Sequence, residues 1–146
     1  MDINFRQISI IGLGLIGGSW GLALKKYGLA VRRMGYGRAS TVGRALAADA
    51  VDEGTDDLGE AVRDADLIIL ATPVGAILDC IPRLKEMAPS KALVTDVGST
   101  KGFICERARE TMGDAHCSWE GIPWPGKNGL ALKMPRPRSL PMLAMF

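Results

Sequence analysis

The chain has 146 residues, 47% of them hydrophobic and 23% charged, with a formal net charge of +2, which suits one globular domain with a real core. Residues 1–116 carry 14 Lys and Arg against 15 Asp and Glu; the positive excess falls after them, which argues against a nucleic-acid surface on the folded body. Cys80, Cys105 and Cys117 lack metal-ligand spacing, the start MDINFRQ lacks an apolar signal run, and the longest apolar stretch is broken by Thr72, Pro73 and Gly75, so the expectation is a cytoplasmic protein with free thiols, no bound metal and no membrane partner.

Residues 7–12 (QISIIG) form a β-branched run that predicts a buried strand. Helical spacing follows over 15–28, with Gly28 as a natural stop. A weaker strand is predicted over 30–37 and a second helix over 40–50, with Ser40 as a possible cap. A short polar helix fits 56–65. Residues 66–73 (DLIILATP) are nearly continuous in apolar residues, as a strand covered on both faces should be. Pro73 can open the next helix, and Pro82 should break it, giving two pieces across 74–88. A strand over 91–98 and a helix over 99–113, stopped by Gly113, complete the pattern. Strands alternating with helices predict an α/β, doubly wound parallel sheet.

Gly12-Leu13-Gly14-Leu15-Ile16-Gly17 matches G-x-G-x-x-G, placed between a predicted strand and a predicted helix. Gly12 allows a tight turn, Gly14 lets a pyrophosphate approach the backbone, and Gly17 lets helix and strand pack closely. The helix start then offers free N–H groups and the positive end of its dipole to phosphates. The plainer alternative is a glycine-rich turn with no ligand. An acid at the end of the second strand would bind the ribose 2′-hydroxyl of NAD. Gly37-Arg38-Ala39-Ser40-Thr41 has none. Arg38 could face the 2′-phosphate of NADP with Ser40 and Thr41 beside it, or be a surface charge stacking on adenine. The expected cofactor is therefore NAD or NADP, leaning to NADP.

Ligands of open α/β sheets sit beyond the carboxyl ends of the strands. Ala71-Thr72-Pro73-Val74 is a short, stiff loop that could wall the cofactor groove. Asp96-Val97-Gly98-Ser99-Thr100-Lys101-Gly102 places Ser99 at a strand-to-helix junction, where its hydroxyl could face a substrate or cap the helix. Lys101 can be a solvated helix charge, and Asp96 a turn residue bonding its own backbone.

"ISIIGLGLIGGSWGLAL", "DLIILATPVGAIL" and "LVTDVGSTKG", in this order and spacing, resemble the prephenate/arogenate dehydrogenase family of tyrosine biosynthesis across roughly residues 7–116. Trp20 departs from the small or aliphatic residue expected there. The resemblance implies a Rossmann-type domain and oxidative decarboxylation of a small molecule, prephenate or arogenate. The ring carbon bearing the 4-hydroxyl gives a hydride to NAD(P)+ and the ring carboxylate leaves as CO2. It implies that Ser99 helps orient the substrate hydroxyl, which a His in a following Gly-x-His-Pro-Met-Ala-Gly element polarises. It also implies a carboxylate-binding Arg in a helical C-terminal domain that forms a homodimer.

His116 is the single histidine and is not followed by Pro; it reads as a surface residue. The expected His-Pro element and helical domain are absent. Five of the eight prolines and two of the three tryptophans lie in residues 117–146. When the third base of each codon from Cys117 is joined to the first two bases of the next, Trp119-Glu120 must give Gly and Trp124-Pro125 must give Ala. The codons between can give x-His-Pro-Met. The expectation is a dinucleotide-binding domain over 1–116 and a frameshift-derived tail over 117–146, the whole an inactive cofactor-binding fragment. The alternatives are a genuine Pro-rich binding tail on a stand-alone NAD(P)-binding module, or another NAD(P)-dependent hydroxyacid-type dehydrogenase.

Overall fold

The computed structural model describes residues 5–112. The readings for Gly113, for His116 and for residues 117–146, including the boundary at 116, lie outside the described residues, as does the side chain of Lys101. The elements run β1 (Phe5–Ile11), α1 (Leu15–Tyr27), β2 (Ala30–Tyr36), α2 (Ala39–Ala47), β3 (Glu53–Thr55), α3 (Leu58–Val62), β4 (Leu67–Leu70), α4 (Val74–Met87), β5 (Leu93–Asp96) and α5 (Lys101–Met112). All strand pairs are parallel, in the order β3-β2-β1-β4-β5. The chain builds outward from β1 to β3, then returns through α3 to lay β4 on the other side of β1. This reversal places a topological switch point between β1 and β4, where the carboxyl ends of two neighbouring strands part.

Alternation along the strands divides the core in two. Ile8 and Ile10 of β1 and Ile69 of β4 face Leu24, Val42 and Ala45 of α1 and α2. Ile11, Ile68 and Leu70 face the other side, against α3, α4 and α5 through Leu58, Val62, Ile77, Ile81, Leu84, Ile104 and Ala108. Both faces of the sheet are covered, as a parallel sheet requires. Trp20 is partly buried against the α1–α2 cluster, which accounts for a large ring in a helix of small and aliphatic residues.

Three expectations are corrected. β3 was not foreseen: Glu53–Thr55 has no apolar residue, and backbone pairing with Met34–Tyr36 alone makes it a strand. α4 is unbroken, with Pro82 inside it. Ile77, Cys80, Ile81 and Leu84 on its buried face outweigh one missing hydrogen bond, each buried aliphatic side chain contributing about 1.5–3 kcal/mol against roughly 3 kcal/mol for an interior proline. Ser40 does not cap α2, because the helix begins one residue before it and Arg38 is the cap residue, its carbonyl accepting from the N–H groups of Thr41 and Val42. Gly28 does end α1, at φ +60 in the left-handed region.

Arg33, on β2, is the one buried cation among the described residues. Its guanidinium donates to the carbonyls of Gly21, Asp49 and Ala50 and to the carboxylates of Asp49 and Asp52. It thereby ties α1, β2 and the α2–β3 turn together. The pairing holds the Asp52 carboxyl below the usual carboxylate range, against the opposing effect of burial. A carboxylate lowered in the folded state stabilises above its unfolded pKa, and that contribution is lost as pH falls through the folded value. Arg33→Met is expected to cost about 2–4 kcal/mol in urea unfolding, because buried carbonyls lose their donor. It should also flatten the loss of stability expected of the native chain as pH falls below about 4.

Candidate functional site

The crevice at the switch point is built from two loops that touch. Gly12 leaves β1 at φ +99, a conformation side chains avoid, with its N–H bonded to the Tyr36 carbonyl at 2.9 Å. A Cβ there would stand 2.6 Å from Thr72 Cγ2 and 2.7 Å from the Ala71 carbonyl oxygen. Thr72 follows β4, so the absent side chain at Gly12 brings the two strand exits into contact. A Cβ at Gly17 would land on the Gly12 carbonyl oxygen, and one at Gly21 on that of Ala50. Gly17 thus lets α1 lie directly on the exit of the strand it follows, and Gly21, one turn on, lets it lie against the turn between α2 and β3.

Gly14 caps α1 with extended backbone and no side-chain hydrogen bond, and no acid lies in the first turn. Nothing stands within 4 Å of a Cβ added at Gly14. The helix therefore starts with open space before it and its N-terminal N–H groups uncapped by any side chain, which suits an anion. Leu15 and Ile16 flank this space at 90% and 53% exposure. Leu13 differs: it is buried, its Cδ1 2.7 Å from where a Cβ of Gly35 would be, leaving only its backbone to meet a ligand.

At the end of β2, Gly37 donates to the Thr55 carbonyl, and Arg38 and Ser40 are exposed at the start of α2. No acid stands at this strand end, which leaves Arg38 as the charged side chain there. After β4, Pro73 is the exposed cap residue of α4, and Val74 packs partly buried on the core. Thr72 Oγ1 is buried and has no hydrogen-bond partner among the described residues. The structure thus brings Gly12 and Gly17 together with Ala71 and Thr72, leaves Gly14 facing open space, and sets Gly37, Arg38 and Ser40 one strand away along the same edge.

Ser99 lies two strands from the glycine loop, exposed, in the turn between β5 and α5. The turn is fixed by Asp96, which is buried and whose Oδ1 accepts from the Gly98 N–H at 2.8 Å. A Cβ at Gly98 would stand 2.5 Å from Ile104 Cδ1 and 3.0 Å from Asp96 Oδ1, so a side chain there would have to push Ile104 aside. Ser99 borders an open depression of roughly 870 Å³ along α5 with Phe103, Cys105, Glu106 and Arg109. Phe103 is 67% exposed there, a feature that apolar periodicity does not flag. No group of His, Cys, Asp and Glu that could hold a metal occurs among the described residues, and no helix among them is long and apolar enough to cross a membrane.

Residues 20–131 match the family model described as prephenate dehydrogenase, nucleotide-binding domain. The chain belongs to the prephenate dehydrogenase family. Among its relatives is a cyclohexadienyl dehydrogenase of Zymomonas mobilis, 35% identical over 109 residues, covering 74% of this chain and 37% of the relative. A prephenate dehydrogenase of Bacillus subtilis is 35% identical over 131 residues, covering 85% and 34%. The prephenate dehydrogenase of Aquifex aeolicus, solved with hydroxyphenyl propionate and NAD+, superposes with a TM-score of 0.69 at 26% identity, covering 74% of this chain and 38% of that one. The chain spans about a third of the length of these dehydrogenases, and the shared part is the Rossmann nucleotide-binding fold.

Within that family domain, Gly17→Ala is expected to be more damaging than Gly14→Ala. The added methyl collides with the Gly12 carbonyl in the first case and enters open space in the second. Thermal unfolding should show a large loss of stability, or no folded protein, for Gly17→Ala and a change within about 1 kcal/mol for Gly14→Ala.

Proposed function

We propose that this chain is the dinucleotide-binding part of an NAD(P)-dependent prephenate dehydrogenase, acting on prephenate or its amino analogue arogenate in the cytoplasm. The observation that carries the reading is the contact between the glycine loop and the β4 exit. It leaves α1 with an uncapped N-terminus facing open space at the switch point. The residues fit a dinucleotide: the backbone from Gly12 to Gly17 would hold the pyrophosphate, and Ala71 to Val74 would wall the groove. The bound nicotinamide supplies a hydride acceptor. The part of Ser99 is to orient the hydroxyl of the substrate from the β5–α5 turn, whose shape Asp96 and Gly98 maintain. Arg38 would meet a 2′-phosphate, since no carboxylate stands at the end of β2 to repel it. Calorimetric titration of the 146-residue chain should show binding of NAD+ or NADP+. If NADP+ is preferred, Arg38→Ala should weaken NADP+ by about 5–50-fold and leave NAD+ nearly unchanged. Binding of neither dinucleotide would refute the reading.

The proposal includes the boundary at 116 and a shifted reading frame over 117–146, with the chain alone binding cofactor but not turning over prephenate. It is supported by the forced Gly and Ala at Trp119-Glu120 and Trp124-Pro125. Sequencing the coding DNA from codon 110 onward should find Gly-x-His-Pro-Met-Ala-Gly continuing into an open frame. If every frame closes instead, the tail is genuine and the fragment reading fails.

A further inference from the structure

Two buried side-chain nitrogen or oxygen atoms among the described residues lack a hydrogen-bond partner, Arg32 Nε and Thr72 Oγ1. Arg32 still donates from its other two nitrogens, to Gln7 and Glu53. Thr72 has a single polar group on its side chain, and among the described residues it bonds nothing. A buried hydroxyl in that state calls for a reason, because valine would fill the same volume without it.

Local geometry shows why the protein gives this hydroxyl no partner. Threonine commonly caps helices, but Thr72 stands one residue before the cap position of α4, which Pro73 occupies with no side-chain hydrogen bond. The Thr72 methyl is set against the glycine loop, as its 2.6 Å approach to a notional Cβ of Gly12 shows. The residue as a whole is only half-buried. A rotation about Cα–Cβ would carry the hydroxyl to another staggered position at the cost of no hydrogen bond, moving the methyl with it.

Resting on the reading that the crevice takes a dinucleotide, we infer that Thr72 is its reserve hydrogen-bonding group. Its hydroxyl goes unsatisfied in the free protein and bonds the ribose–phosphate backbone of the nucleotide where the β1 and β4 exits meet. Thr72 is then a binding residue as well as part of the groove wall, and it trades stability of the free state for affinity.

The two effects have opposite signs, which makes them separable. Thr72→Val and Thr72→Ser are made in the full chain, with thermal unfolding measured without ligand and calorimetric titration with NAD+ and NADP+. Thr72→Val should melt no lower than the native chain, yet bind the preferred dinucleotide about 3–10-fold more weakly; Thr72→Ser should bind within about twofold of native. Equal affinity of Thr72→Val and native overturns the inference while leaving the dinucleotide reading intact. So does an equal loss in both variants, which would make the methyl the important group. A Thr72→Val chain that melts lower or does not fold overturns it too, by showing that the hydroxyl is bonded within the free protein. A native chain that binds neither dinucleotide removes the parent reading, and this inference with it.

Discussion

At the start of α1, Gly17 lies so close over the Gly12 carbonyl at the end of β1 that no side chain fits between them. Much else follows from that contact. It fixes where α1 begins, and so where its N–H groups point. It keeps the strand exit low enough for Thr72 to pack over Gly12, which draws β4 into register beside β1. Farther along α1, Gly21 repeats the arrangement over Ala50, where Arg33 gathers the surrounding carbonyls. A side chain at Gly17 would lift the helix off the sheet and open the crevice floor. The site and the fold therefore share one steric requirement, and a defect there would damage both.

The legible parts of the sequence were those where the local signals agree. β1, the glycine loop and α1 combine β-branched residues, required glycines and a glycine stop, and the structure follows them closely. β4 was visible because burial on both faces leaves an unbroken apolar run. β3 was hidden because its pairing is entirely backbone, with Gly54 beneath Val42 leaving no apolar pattern to read. Pro82 misled because a local rule predicts a break, whereas the buried face of α4 is a tertiary quantity. At Ser40 the residue type was right for a cap, but the cap position fell two residues earlier, on Arg38.

The site shows the same division. The spacing of Gly12, Gly14 and Gly17 can be read from the chain as a motif between a strand and a helix, although only Gly12 and Gly17 answer to a steric demand. That Leu13 turns inward while Leu15 is left bare depends on how α1 lies over Gly35, and no motif states it. Asp96 could be foreseen only as one of several turn residues. Its burial and its bond to Gly98 make it the fixed point from which the Ser99 turn departs. The unpartnered hydroxyl of Thr72 becomes visible only when every neighbouring donor and acceptor has been accounted for.

The strand order also bears on the sequence of events as the chain leaves the ribosome. Ile8 through Ile11 pair with Leu67 through Leu70, so the two walls of the crevice are made far apart in time. Until β4 emerges, the β1 edge that it will cover stands bare, and the glycine loop has no opposite wall. Parallel pairings of this kind leave nascent chains exposed to wrong partners for longer than hairpins do. A nucleotide that bridges both loops would favour the docked arrangement by mass action. Any ligand that spans both loops thus acts on the folding of the chain as well as on the folded site.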